Sequence, residues 1–98
     1  MTIDWSQVDL ADFCKRHGIR RLALFGSVLT PAFGPESDVD VLVEFAPGVQ
    51  VGYLKFAEIQ HELSELLGRE VDLNTAGSLS RHFRNDVVRR AEVIYEQA

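Results

Sequence analysis

Apolar positions recur along this chain at two spacings, and each change of spacing marks a new element. Val8, Leu10, Phe13 and Cys14 fall at helical intervals, which predicts a helix from Ser6 to His17 stopped by Gly18. Ile19 to Phe25 is a short apolar run that predicts a strand. Ser27 to Leu29 predicts a helical turn that Pro31 interrupts, and Thr30 to Ser37, with Gly34 and Pro35, reads as a loop. From Asp38 to Phe45 the pattern alternates: Val39, Val41, Val43 and Phe45 on one side, Asp38, Asp40 and Glu44 on the other. That is a second strand, closed by a turn at Ala46-Pro47-Gly48. Tyr53 to Leu67 predicts the clearest helix, with Leu54, Ala57, Ile59, Leu63, Leu66 and Leu67 as its buried stripe and Gly68 as its stop. Arg69 to Asn74 predicts a third strand, Val71 and Leu73 on one face and Asp72 on the other. Ser78 or Ser80 caps a last helix reaching about Arg90, and Val93 to Tyr95 forms a short fourth strand. No repeat or long linker divides the pattern. Residues 1–98 therefore read as one domain of the α/β class: a small mixed sheet of about four strands, helices against one face and carboxylates on the other.

Composition narrows the class. A chain of 98 residues with 46% apolar content is globular, and at this size it buries about 60% of its unfolded surface. No apolar run is long enough for a membrane span. Asp4 and Asp9 sit where the apolar core of an export signal would lie. The single cysteine, Cys14, rules out an internal disulfide, suits a reducing cytosol, and reads as a small core hydrophobe. A net charge of -5 argues against general nucleic-acid binding, which rests on lysines and arginines meeting phosphates. It suits a basic partner.

The chemistry concentrates in two places. Leu24-Phe25-Gly26-Ser27 reads as a strand running into a Gly-Ser turn, and Asp38-Val39-Asp40 follows ten residues later. Alternation puts Asp38 and Asp40 on one face with Cα atoms about 7 Å apart. Two carboxylates sharing one space repel, and a divalent cation between or beside them relieves that repulsion. Gly26 lets the backbone approach a phosphate, and Ser27 offers an amide and a hydroxyl. If the third strand lies beside the second, Asp72 joins the pair. Two magnesium ions about 3.5–4 Å apart need such bridging carboxylates, and they stabilise attacking and leaving oxygens in a phosphoryl-type displacement. In this reading Asp38 and Asp40 hold metal, while Asp72 holds the catalytic metal or takes the proton of an incoming hydroxyl.

Gly26-Ser27, Asp38-x-Asp40 and the later Asp72 resemble the signature of the DNA polymerase β-like nucleotidyltransferases. Chance alone gives Gly-Ser-x10-Asp-x-Asp in roughly one chain of this length in a thousand. Pro35-Glu36-Ser37-Asp38, Leu42-Val43-Glu44-Phe45, Gly68-Arg69-Glu70-Val71-Asp72-Leu73 and Val93-Ile94-Tyr95-Glu96 are similar to phrases of the minimal nucleotidyltransferases (MNT). The resemblance spans residues 19–98. It implies transfer of AMP from ATP, with two magnesium ions, to a hydroxyl of a partner. That partner is a helical HEPN-domain toxin, encoded adjacently, whose tyrosine takes the AMP, with this chain as the antitoxin. A short chain would need the partner to complete its site, and an oligomer with the toxin is left open. Two alternatives stand beside this reading: a binding antitoxin with little or no catalysis, and transfer to a small molecule such as an antibiotic.

One departure bears on the choice. Val28-Leu29-Thr30-Pro31-Ala32-Phe33 carries no lysine or arginine where many relatives have one. Lys55, Arg81 and Arg84 are the candidates to replace it. Arg89 and Arg90 read, with Arg81 and Arg84, as a solvated helix face. His17, His61 and His82 lack ligand spacing and read as surface or helix-end residues. Trp5, Phe33 and Tyr53 are assigned to the core, any exposed one marking a surface for a partner or a base.

Overall fold

The computed structural model describes residues 9–31, 34, 37–82 and 84–97, with the side chain of Ser27 left out. Helix α1 (Leu10–His17) opens at Asp9, whose carboxylate accepts from the Asp12 amide at 3.1 Å, and closes at Gly18 in a left-handed conformation. The predicted start at Ser6, with Val8 and Trp5, lies outside the described residues. Strand β1 (Ile19–Phe25) leads into a 3₁₀ turn (Gly26–Leu29). Then come β2 (Val39–Phe45), α2 (Tyr53–Leu67) and β3 (Val71–Asn74). A 3₁₀ turn at Ala76–Ser78, α3 (Arg84–Arg90) and β4 (Glu92–Glu96) complete the order. The Ala76–Ser78 turn is capped by Thr75, not by the serine expected to start the last helix. Ser80 serves α3 instead through its backbone carbonyl, which accepts from Arg84.

The four strands form one mixed sheet in the order β3-β2-β1-β4. β1 pairs antiparallel with β2 and with β4, while β2 and β3 run parallel, joined by α2 as the crossover. Phe13 and Cys14 of α1 and Ile59, Leu63 and Leu67 of α2 close over one face of the sheet. There they meet Leu22 and Leu24, Val39, Val41 and Val43, and Val71 and Leu73, all buried. Burial pushes the Cys14 thiol up to about 12, so it is an inert apolar group here.

The buried stripe of α2 differs from the expected one. Leu54 is 80% exposed and Tyr53 87%, and Ala57 is exposed too. At about 100° per residue, Leu54 and Ala57 lie 140–160° around the helix from Ile59. Counting apolar residues merged two faces into one. Among the described residues no helix is long and apolar enough to cross a membrane.

Candidate active site

The carboxylates lie on the sheet face opposite α1 and α2. Asp40 alternates with the buried Val39 and Val41, and Asp72 with the buried Val71 and Leu73. Because β2 and β3 run parallel and in register, Asp40 stands directly beside Asp72. Asp38 immediately precedes β2 and is exposed. Partial burial raises Asp40 above its ordinary value, and the charges of Asp72 and Asp38, with a hydrogen bond shared with Asp72, push it the same way. A carboxyl whose charged neighbours are carboxylates is poised to accept a cation.

Gly26 meets Asp40 from β1, since Phe25 pairs with Asp40 in the antiparallel ladder. Its φ of +76° belongs to the left-handed region, and a β-carbon there would fall 2.2 Å from Asp40 Oδ2. Only glycine fits both the conformation and the space. Ser27 follows on the same 3₁₀ turn.

Three residues that the sequence reading passed over hold the carboxylates in place. β3 is an edge strand, so its outward amides need partners. Ser64 Oγ of α2 accepts from the Val71 amide at 3.0 Å, and Gln60 Oε1 accepts from the Leu73 amide at 2.9 Å. These two bonds bracket Asp72. Arg69 donates from one guanidinium nitrogen to the carbonyls of Gly34 and Ser37. The Val39 amide donates to the Glu70 carbonyl at 2.8 Å. The chain entering Asp38 is thereby fixed to the chain entering Asp72. A Gly-Arg before an acidic strand was visible in the sequence, but its target was not.

Among the described residues, α3 lines a cavity on each of two sides. One, of about 260 Å³, lies among Leu42, Glu44, Thr75, Ala76 and Val88. The other, of about 500 Å³, lies between the Gly26 turn and α3. Of the expected basic residues, Lys55 pairs with Glu58 at 3.8 Å on α2, and Arg84 donates to the Leu79 carbonyl. Neither these two nor Arg81 lines the cavity beside Gly26. Arg90 does.

The donor set suits magnesium, a hard cation that takes oxygen ligands. Among the described residues no three acidic, histidine or cysteine side chains close into a metal cage. An open set of carboxylates fits a cation that takes its remaining ligands from phosphate and water. His17 and His61 pair with Glu62 and Glu65 on the helices, outside this set. His17 sits at the helix end as expected, half-buried, with its side chain largely covered.

Known proteins resemble this chain in sequence and fold. Protein adenylyltransferase MntA of Thermococcus cleftensis is 38% identical over 81 residues, 83% of this chain and 78% of that protein. A solved structure provisionally assigned as a minimal nucleotidyltransferase superposes with a TM-score of 0.68 at 35% identity, covering 84% of this chain and 82% of that one. The fold also matches a complex of a tri-AMPylated Shewanella oneidensis HEPN toxin with an MNT antitoxin: TM-score 0.61, 20% identity, 90% of this chain and 67% of that one. The family model for the nucleotidyltransferase domain takes in residues 9–95, from the Asp9 cap into β4, and to that family of nucleotidyltransferases this chain belongs.

Proposed function

We propose that this chain transfers AMP from ATP to a tyrosine hydroxyl of a HEPN-type toxin and thereby acts as its antitoxin. The observation that carries the reading is the register of β2 and β3, which sets Asp40 abreast of Asp72 with Asp38 at the strand entry. Support comes from the adenylyltransferase relative and from the AMP-bearing HEPN toxin in the Shewanella complex. Tyr53 and Leu54, exposed side by side at the start of α2, offer apolar surface to a partner protein. Cys14, buried and alone, fits work in a reducing cytosol.

In the reaction, the acceptor oxygen forms a bond to the α-phosphorus as the bond to the bridging oxygen breaks, and pyrophosphate leaves. Asp72 is exposed beside Asp40 and takes the acceptor proton. Asp38 and Asp40 would hold magnesium, which when bound would offset charge developing on the phosphate oxygens. Gly26 keeps side-chain atoms out of the space before Asp40, and Ser27 donates to the terminal phosphates.

A second reading rests on the absence of lysine and arginine from Val28 to Phe33: weak nucleotide binding, with the toxin neutralised by contact alone. Intact-mass spectrometry of the toxin, incubated with this chain, ATP and magnesium, separates the two. A gain of one or more AMP units with wild type, lost in the double variant Asp38→Asn, Asp40→Asn, supports the enzyme. An unmodified toxin that both proteins still neutralise would establish the binding antitoxin.

A further inference from the structure

The segment after Ser27 offers a triphosphate no cation, yet the fold brings one to the same place from far along the chain. Phe25, Gly26 and Leu29 wall one side of the 500 Å³ cavity, and Asp86, Val87 and Arg90 of α3 wall the other. Its volume lies within the roughly 300–1,000 Å³ of small-molecule sites. Gly26 belongs to both this cavity and the carboxylate site, since its α-carbon faces Asp40 Oδ2. Gly26 thus borders both, and the cavity adjoins the carboxylate site at that residue.

The charge on the α3 wall is uneven. Arg90 Nε lies 3.2 Å and Arg89 Nη2 2.9 Å from the same Asp86 oxygen. Two guanidinium groups on one carboxylate leave a net positive charge beside the cavity. Both arginine side chains are three-quarters exposed, and exposed ion pairs of this kind are weak, so their partner is readily exchanged for a stronger one. A phosphate is such a partner, because the guanidinium fork binds its oxygens two at a time. Of the two arginines, only Arg90 lines the cavity.

We propose that Arg90 binds the β- and γ-phosphates of the nucleotide in the cavity between the Gly26 turn and α3, supplying the cation that the segment after Ser27 lacks. This rests on the ATP-dependent reading above. It makes the terminal helix part of the donor site and gives the chain a reason to prefer a triphosphate over a monophosphate.

Calorimetric titration of ATP with magnesium into the full chain tests it, using wild type, Arg90→Ala, Arg90→Lys and Arg89→Ala. Loss of a charge-assisted hydrogen bond should weaken ATP roughly ten- to a hundredfold in Arg90→Ala. Arg90→Lys should recover part of that loss, having the charge without the fork. Arg89→Ala should bind as wild type does. If wild type binds ATP and Arg90→Ala binds it equally well, the assignment of Arg90 fails while the ATP reading stands. Equal weakening in Arg89→Ala and Arg90→Ala would mean a diffuse field and would also overturn it. A wild type that binds no ATP removes both.

Discussion

Two carboxylates in this fold keep opposite electrostatic company. Glu62, on α2, accepts hydrogen bonds from Arg16 and His17 at the end of α1. Those bonds, first from Arg16 and then from His17, hold it down at about 2. Asp40, on β2, has Asp72 and Asp38 beside it and is raised by burial and by their charge. At the helix seam the protein supplies its own counter-charge, and the contact is complete without a ligand. At the sheet face the charged neighbours found for Asp40 among the described residues are carboxylates. A cluster kept at that cost is a place for something from outside, and compensation of charge is what separates a structural carboxylate from a functional one.

The comparison breaks most visibly in activity. Replacing Asp38 and Asp40 by asparagine should cut AMP transfer by about two orders of magnitude or more, as loss of metal ligands does. The fold should persist, as circular dichroism would show. The single variant Asp40→Asn should be more stable than wild type without divalent ions at neutral pH. Asp40 has a folded pKa above its unfolded value near 3.8. Its penalty is thus absent well below that value and grows as pH rises through the folded pKa. Melting curves of the two proteins should converge in acid and part toward neutrality; parallel curves at every pH would contradict the crowding.

Magnesium sharpens the same contrast. At a hundredfold excess over its dissociation constant, an ion bound only by the folded state adds about 2.7 kcal/mol. Chemical denaturation should show that gain in wild type, a reduced gain in Asp40→Asn, and an unchanged gain in Glu62→Gln, whose site is elsewhere. Gly26→Ala comes next. Forcing alanine into the left-handed region costs about 1–2 kcal/mol, and the added carbon displaces the Asp40 carboxylate. Stability and the magnesium gain should fall together; a fall in stability alone would separate the turn from the site. The smallest effect belongs to Glu62→Gln, within about 1 kcal/mol at neutral pH as for half-exposed ion pairs. Glu62 has a lowered folded pKa, so its contribution is present above the unfolded value of 4.5 and is lost as pH falls from there to about 2. The gap to wild type should close over that window as well, but with wild type the more stable protein, the reverse of Asp40→Asn.

Much of this was legible before the structure. The bounds of β1 and α2 follow from apolar runs ended by glycines, and Gly26, Asp38, Asp40 and Asp72 stand out because their spacing has a chemical reason. What a linear pattern hides is who lies beside whom. Gln60 and Ser64 look like ordinary polar helix residues until β3 is seen to present its amides to them. Arg69 gains meaning only when the loop before β2 comes back to it. Arg90 reads as one of several solvated arginines until α3 is laid against the Gly26 turn. His17 reads only as a helix-end residue, and its edge-on packing against Phe13, one helical turn back, shows how far its ring is covered.

The parallel pairing of β2 and β3 also sets an order of events. β1 and β2 are joined by the shorter connection, residues 26–38, whereas Asp40 and Asp72 meet only once the longer one, residues 46–70 with α2, has crossed the sheet and docked. Such distant contacts form late, because the loop must close before they reward it. A ligand gripped by both strands finds its complete site only in the finished fold. It should then act as a brake on unfolding and leave the refolding rate nearly unmoved. Stopped-flow measurements with and without magnesium would read that asymmetry directly, and the protein's lifetime in the cell would depend on how often its nucleotide site is filled.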